Sequence, residues 1–537
     1  MLSYIGFLPA FIAYRYALVH SAKAAFLQVY LPVLLCFPNY YRVITPGLPD
    51  PTFAQGVSIA IFISAMSQGG FIGCRFSHLD IVVVIYAFCV FNSELQASGY
   101  SDAQNLLFEM LFSVLVPYYM AKTFIEPGNL RFEFAKKIVW CLALVSMLNL
   151  YETRMGSNLW QLTLGRFFPG QGEGWLTTFR FGFARTAGPY AHALLAGIMM
   201  LVGFRLQRWL QFSAAWPDKI PIPQLSWIPI RFPHLMTLIL TGGFFLTFAK
   251  GAWLAGFLAG FLVAVGRMKN RVLALMTVLG FVLFVLVPSA MAFISYASVG
   301  RENAKDDNQE TAAYRYELVI KYLDIAKAKA WEGWGLTKWP KVPGMPSIDN
   351  HYLLVMLMHG QITLICLVYL LLGTMLRLLI HSLKHPPPAR SGASLSFTLA
   401  SVFLGYTVAI GTVYMGEQTI PLLFMLLGWA ESYMVSGGVD RSADGEDSDQ
   451  VPSASSAPFR FRRVLYRAAV ALRDVWSAMV RAQNGKVCRP EWVWLPATNA
   501  SPGAVRRAGK QNSAMSLTDG PPDHVHLGQL AFRIQSP

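Results

Sequence analysis

The chain has 537 residues, 54% of them hydrophobic and 14% charged, with a mean hydropathy of +0.43. Soluble domains carry about a quarter charged residues, so this composition excludes a cytosolic enzyme, a secreted disulfide scaffold and a disordered chain. The net charge of +15, from 44 Lys and Arg against 29 Asp and Glu, does not point to nucleic acid. The basic residues fall in turns between apolar blocks and in the C-terminal tail, as membrane topology requires.

The N-terminal stretch MLSYIGFLPAFIAYRYAL lacks a basic start and a small-residue cleavage site, so it reads as a retained first segment. A helix needs about 20 apolar residues to cross the hydrocarbon core. In chain order the apolar blocks predict spans near 2–19, 24–43, 54–73, 78–94, 104–124, 135–152, 190–206, 233–249, 251–266, 272–296, 352–380, 394–415 and 419–435. The expected fold class is therefore an all-α polytopic membrane protein with about twelve or thirteen transmembrane helices, occupying residues 1–435. The block at 352–380 is long enough to extend beyond the bilayer. Six scattered cysteines, Cys36, Cys74, Cys89, Cys141, Cys366 and Cys488, show no metal or disulfide-motif spacing and read as small hydrophobes.

Orientation follows from the distribution of Lys and Arg. Arg267, Lys269 and Arg271 crowd one turn, RMKNR, which should be cytoplasmic. Counting outward, the turns with Lys122, Arg131, Lys136 and Lys137, with Arg205, Arg208, Lys219 and Arg231, and with Arg377, Lys384 and Arg390 fall on the same side. The turns at 95–103 and 416–418 carry no Lys or Arg and fall outside. Two long connections, 153–189 and 297–351, then lie on the outer, periplasmic face. Within the second, TAAYRYELVIKYLDIAKAKA reads as an amphipathic helix, with Tyr316, Val319, Ile320, Leu323 and Ile325 supplying its apolar side. Residues 436–537 form a cytoplasmic tail. It opens with a Gly/Ser/Asp-rich linker, continues in a basic amphipathic helix near 459–483 suited to an anionic leaflet or a partner, and ends in a disordered stretch.

This topology collects polar residues at one surface. Arg166, Arg180 and Arg185 belong to the first outer loop, Lys250 to the outer turn of LTFAKGAWLAG, and Arg315 and Glu317 to the loop helix. Asp349, Asn350 and His351 stand where the chain re-enters the membrane. Cations converging there suit a pyrophosphate, since guanidinium forks bind phosphate oxygens bidentately, and a nearby acid or His suits a general base. Each also has a plainer reading: solvated or headgroup-contacting Arg, a snorkelling Lys250, packed His192 and His359, and loop-solvating Asp306 and Asp307. No Walker loop, GxSxG elbow or zinc cluster is present in the sequence.

The same segments resemble the superfamily of O-antigen ligases and Wzy-type polysaccharide polymerases. ARTAGPYAHALLAG is similar to the family's Arg-x-x-Gly/Pro segment, and LTFAKGAWLAGFLAG to its Thr-x-Ser-Arg-Gly-Ala stretch. YRYELVIKYLDIAKAKAWEGWGL resembles the loop helix bearing an Arg and followed by a Gly-x-Gly turn, here Gly333 and Gly335. SIDNHYLLVMLMHGQITLICL resembles the segment reading Ser-x-His-Asn-x-Tyr-Leu with a later Gly, here Gly360. The similarity covers roughly residues 150–435. Lys250 replaces the usual Arg, and Asp349 rather than His351 takes the histidine position, a version closer to the exopolysaccharide polymerase branch.

The resemblance implies a metal-independent, inverting transferase of the membrane glycosyltransferase C type, without a cofactor. Its donor would be a glycan on undecaprenyl pyrophosphate at the bacterial inner membrane, with a chain-length regulator as a further partner. Arg185, Arg315, Lys250 and Arg180 would hold the pyrophosphate, and Asp349 or His351 would be the base. The leading expectation is a repeat-unit polymerase; a ligase onto lipid A core or another acceptor is the alternative. A transporter without covalent chemistry is a third, kept open by Glu109 and Glu431 inside spans.

Overall fold

The computed structural model describes residues 2–45, 49–71, 75–172, 177–180, 182–220, 229–268, 270–345, 347–385, 394–416 and 418–436. The tail with its expected helix at 459–483, Cys74, Cys488, Lys269 and Arg390 lie outside the described residues.

Among the described residues the chain is a succession of helices: α1 (Ser3–Val19), α2 (Ala22–Cys36), α3 (Phe53–Ser67), α4 (His78–Ser98), α5 (Tyr100–Phe124) and α6 (Arg131–Met155). A short α7 (Leu159–Leu164) and a two-stranded hairpin, β1 (Phe179–Arg180) and β2 (Phe183–Ala184), follow. Then come α8 (Ala193–Phe212), α9 (Phe232–Leu246), α10 (Lys250–Gly266) and α11 (Val272–Ala297). The outer-loop helix is α12 (Asp307–Ala328); α13 (His351–Lys384), α14 (Leu395–Ile410) and α15 (Thr419–Val435) complete the set. The protein is an all-α polytopic membrane protein.

Each of the thirteen expected spans has a helix, but the helices are of two kinds. Six are long and apolar enough to cross a bilayer, α4, α5, α6, α8, α11 and α13, while seven are apolar helices of 17 residues or fewer. At 1.5 Å per residue the shorter ones fall below the hydrocarbon thickness. Two of the shortfalls come from non-helical chain at 247–249 and 411–416, where Thr247, Ala249, Val413 and Met415 are nonetheless buried. Irregular backbone persists at such depth when protein groups pair its amides and carbonyls.

Specific bonds sort the helix ends into two faces. At one, Gln418 at the start of α15 donates Nε2 to Phe37 O (2.9 Å) and Pro189 O (3.0 Å). Glu94 of α4 accepts from Leu336 N (2.7 Å), and Glu152 of α6 from Gly188 N (2.8 Å). At the other, Lys122 Nζ meets Asp80 at 2.6 Å, Arg131 meets Glu126 at 2.6 Å, and Arg377 meets Glu431 at 2.8 Å. These joined ends are the ones the charge pattern assigns to a common side. The first face is called the outer end below and the second the basic end.

The loop helix α12 departs from expectation in one respect. Its buried stripe is Ala312, Leu318, Tyr322 and Ala326, packed with Met345, Ile348, Leu353, Met356 and Leu357, and Leu323 and Ile325 lie at its edge. Val319 and Ile320, expected on the apolar side, are exposed. The sequence periodicity fits both registers, and contact with the 342–357 segment selects the one containing Tyr322, whose hydroxyl donates to Met345 O at 3.0 Å.

Candidate active site at the outer end

The site begins where α9 stops. Phe248 has φ 46°, in the left-handed region, so the helix cannot continue and the carbonyls of 246–248 need other donors. The β1–β2 segment supplies them. Arg180 Nη1 donates to Phe248 O at 2.7 Å, Arg185 Nε to Thr247 O at 3.4 Å, and Thr186 N to Leu246 O at 3.2 Å. Arg185 Nη1 also reaches Thr178 Oγ1 at 3.5 Å. Lys250 follows immediately as the first residue of α10, exposed, with no hydrogen bond or ion pair among the described residues. Burial, with the neighbouring charge of Arg180, pushes the Arg185 guanidinium down to about 10, which leaves it cationic at neutral pH.

Glu152 holds this segment in place, a role the sequence reading missed. It accepts from Ala187 N (3.2 Å), Gly188 N (2.8 Å) and Asn158 Nδ2 (3.3 Å). Gly188 has φ +61°, and a Cβ there would lie 2.6 Å from Asn149 Oδ1. The glycine of the Arg-x-x-Gly-Pro segment is thus required by backbone conformation and by space. His192 caps α8 by accepting from Leu194 N at 3.2 Å; burial and then the charge of Arg185 lower it to about 4, so it is neutral above pH 5.

The second group lies where the long loop returns. Asp349 is half-buried; its Oδ1 accepts from Ser347 Oγ at 2.9 Å. Asn350 caps α13 by accepting from Leu353 N at 3.2 Å. His351 is buried, and neither ring nitrogen has a hydrogen-bond partner among the described residues. Tyr314 of α12 donates to Ser347 O (3.2 Å), and partial burial, followed by the Asp349 carboxylate, raises its phenol. Arg315 itself is exposed and makes no hydrogen bond or ion pair among the described residues. Its neighbours are committed elsewhere: Glu317 pairs with Arg301 (3.7 Å) and Lys321 (3.4 Å), and Arg301 lies over the Tyr314 ring. Asp306 is the N-cap of α12, accepting from Gln309 N at 2.6 Å, rather than simply a solvated loop acid.

One stretch of α14 and its exit bridges the two groups. Tyr352 donates its hydroxyl to Thr407 O at 2.9 Å, and a Cβ on Gly411 would lie 3.8 Å from the Tyr352 ring. A Cβ on Gly251, next to Lys250, would overlap Thr412. The structure therefore brings Arg180, Arg185 and Lys250 together, brings Asp349 and His351 to the other flank of residues 407–412, and leaves Arg315 as an unpaired cation on α12. Arg166 is exposed and makes no link to either group among the described residues.

The Gly-x-Gly turn serves a structural purpose that spacing did not reveal. Gly360 has φ 81° and ψ 178°, which breaks α13 after nine residues. The turn enters the break: Trp334 N donates to Leu357 O (2.9 Å), Gly335 N to Met358 O (2.9 Å) and Gln361 N to Ala330 O (2.6 Å). Glu94 caps the turn through Leu336 N, while His359 Nδ1 and Ser93 Oγ lie 2.6 Å apart behind it. The expected long span at 352–380 is thus a half-helix followed by a crossing helix, and the break accounts for its excess length.

Residues 235–368 match the family model described as O-antigen ligase. The O-antigen ligase match begins in α9 and ends in α13 beyond the Gly360 break. It contains Lys250, Arg315, Asp349, His351 and the docked turn, and leaves Arg180 and Arg185 upstream. The resemblance drawn from local motifs over 150–435 is borne out on this narrower segment. No curated protein matches the sequence. Glu109 and Glu431, the two acids that kept a transporter in view, are each paired, with Arg42 at 3.8 Å and Arg377 at 2.8 Å.

Proposed function

We propose that this chain polymerises lipid-linked glycan repeat units into an exopolysaccharide or O-antigen-like chain at the periplasmic face of the bacterial inner membrane. The observation that carries the reading is the gathering of Arg180, Arg185 and Lys250 around one helix break, across residues 407–412 from Asp349, with the second half of that arrangement inside the O-antigen ligase match. In this reading the cations and Arg315 hold the pyrophosphate of an undecaprenyl-linked donor. Asp349 takes the proton from an acceptor sugar hydroxyl, whose oxygen attacks the anomeric carbon from the face opposite the phosphate. The carbon–oxygen bond to pyrophosphate breaks, and the guanidinium donors stabilise the departing charge. The glycosidic bond forms with inversion.

Asp349 suits the base better than His351. One of its oxygens has no partner among the described residues, whereas His351 is packed inside the 345–357 layer. Ligation of finished glycan onto another acceptor is the second reading, favoured by the description of the matching family; the Asp-Asn segment favours polymerase. A chain-length regulator fits the polymerase reading as a partner.

The test is the size distribution of lipid-linked and released glycan in cells lacking the protein, complemented with wild type, Arg315→Ala or Asp349→Asn. Single repeat units stalled on the carrier, with long chains restored only by wild type, are the expected result. Long chains stranded on the carrier beside a bare acceptor indicate a ligase. Normal glycan from both variants overturns the site.

A further inference from the structure

At the basic end, cations are treated in two different ways. Lys122, Arg131 and Arg377 each have a carboxylate within 2.8 Å. On the α8–α10 side, Arg205, Arg208 and Arg267 have none among the described residues. Arg205 is 9% exposed; it donates Nη2 to Gly256 O, and its Nε has no partner. Arg208 donates only to Gln211 Oε1 at 2.6 Å. Arg208 and Arg267 lie over the same Phe212 ring, at 4.6 and 4.4 Å from its centroid. Arg208 and Arg267 thus hold two like charges at one ring.

A guanidinium buried at a membrane helix end without a counter-charge is costly, and like charges held this close add repulsion. Snorkelling accounts for an exposed Arg267 but not for Arg205. Gly256 and Gly260 leave space beside it, for a Cβ at Gly260 would sit 2.9 Å from an Arg205 nitrogen. Arg205 spends its fork on Gly256 O, ten residues before the end of α10, whereas Arg208 and Arg267 meet over one ring at the ends of α8 and α10, and two forked donors held there match the oxygens of a phosphate.

We infer that Arg208 and Arg267 form a binding site for the phosphate of an anionic phospholipid headgroup at the basic end of the bundle. This site lies at the opposite end from the proposed active site and does not rest on that reading. The lipid's phosphate supplies the charge that the other basic-end cations obtain from Asp80, Glu126 and Glu431.

The test uses the full-length protein in mild detergent, titrated with phosphatidylglycerol, phosphatidylcholine or inorganic phosphate, and read by thermal unfolding and by native mass spectrometry of retained lipid. Phosphatidylglycerol should raise the unfolding temperature and remain bound, while the other two probes should not. The double variant Arg208→Gln/Arg267→Gln spares the buried Arg205 and should weaken the phosphatidylglycerol response at least tenfold. Lys219→Gln, an exposed cation at the same end, should change it less than twofold. An undiminished response in the double variant overturns the site, and an equal response to inorganic phosphate overturns the lipid as its ligand. A phosphatidylglycerol response absent from the full-length protein and present only in a variant truncated at Ser436 also overturns it, since acids of the chain's own tail would then be the counter-charge.

Discussion

Two interrupted helices shape the outer end, and they are repaired by different chemistry. At 247–249 the orphan carbonyls are met by side-chain cations, Arg180 on Phe248 O and Arg185 on Thr247 O. At Gly360 they are met by backbone amides of the docked turn, Trp334 and Gly335 on Leu357 and Met358. A repair by guanidinium leaves donors over, because each fork carries five N–H groups and spends one or two on the carbonyls. A repair by backbone leaves none. The first break can therefore offer charge to a ligand, while the second can only fix a shape. The proposed pyrophosphate grip is assigned to the first for this reason, and the second is read as the joint that holds the loop.

The comparison breaks most severely at Gly360. Gly360→Ala puts a β-carbon at positive φ and into Trp331 O and Ala330 O, so the turn cannot stay in its seat. A loss of about 3 kcal/mol or more is expected, seen as a large fall in unfolding temperature in detergent with loop cleavage by added protease. A variant as stable as wild type would show that the turn is not held there.

Arg185 tests the other break. Arg185→Lys keeps a charge but loses the fork, so polymer formation should fall about tenfold; Arg185→Ala should reduce it by on the order of a hundredfold, with the protein still folded. Wild-type activity in Arg185→Lys would mean that the fork geometry is irrelevant. The same measurement should remain flat through neutral pH and decline only above about pH 10, where Arg185 begins to lose its proton.

The difference between the breaks also marks what the sequence disclosed. The LTFAKG stretch shows its break openly, because a lysine amid apolar residues must sit at a surface, and the turn before α10 was expected there. The break at Gly360 did not show itself, although the resemblance singles out that glycine: it lies inside MLMHGQITLICL, continuous apolar sequence that reads as one long span, and the docking of the 330–335 turn into it could not be inferred from spacing. The helices of the spans were legible because hydropathy acts locally along the chain. Glu94, Glu152 and Asp80 were not, since each buried acid matters through a partner distant in sequence, Leu336, Gly188 and Lys122. The register of α12 was missed for the same reason.

Glu94 sharpens the account of the second break at lower cost. Glu94→Ala leaves Leu336 N without its acceptor and should destabilise by about 1–2 kcal/mol, while Glu94→Gln keeps an acceptor and should lose less. Protease sensitivity confined to residues 329–345 would locate the effect at the docked turn. Cleavage spread evenly over both outer loops would instead mean that Glu94 supports the bundle as a whole.

The smallest effect belongs to the first break and is read through pH. His192 is held near pKa 4 by burial and by Arg185, against about 6.5 in an unfolded chain. The unfolded state therefore binds more protons between these values, so stability is fully present above about pH 6.5 and falls as the pH drops toward 4. The loss should be about 1 kcal/mol by pH 6. His192→Asn retains a capping acceptor for Leu194 N but does not titrate, so it should flatten this acid limb while leaving neutral-pH stability within about 1 kcal/mol. Arg185→Ala should flatten it partly, because it removes the second of the two causes and leaves burial in place. An acid limb unchanged in His192→Asn would assign the loss to the carboxylates, and the coupling between the cap of α8 and the cation cluster would have to be abandoned.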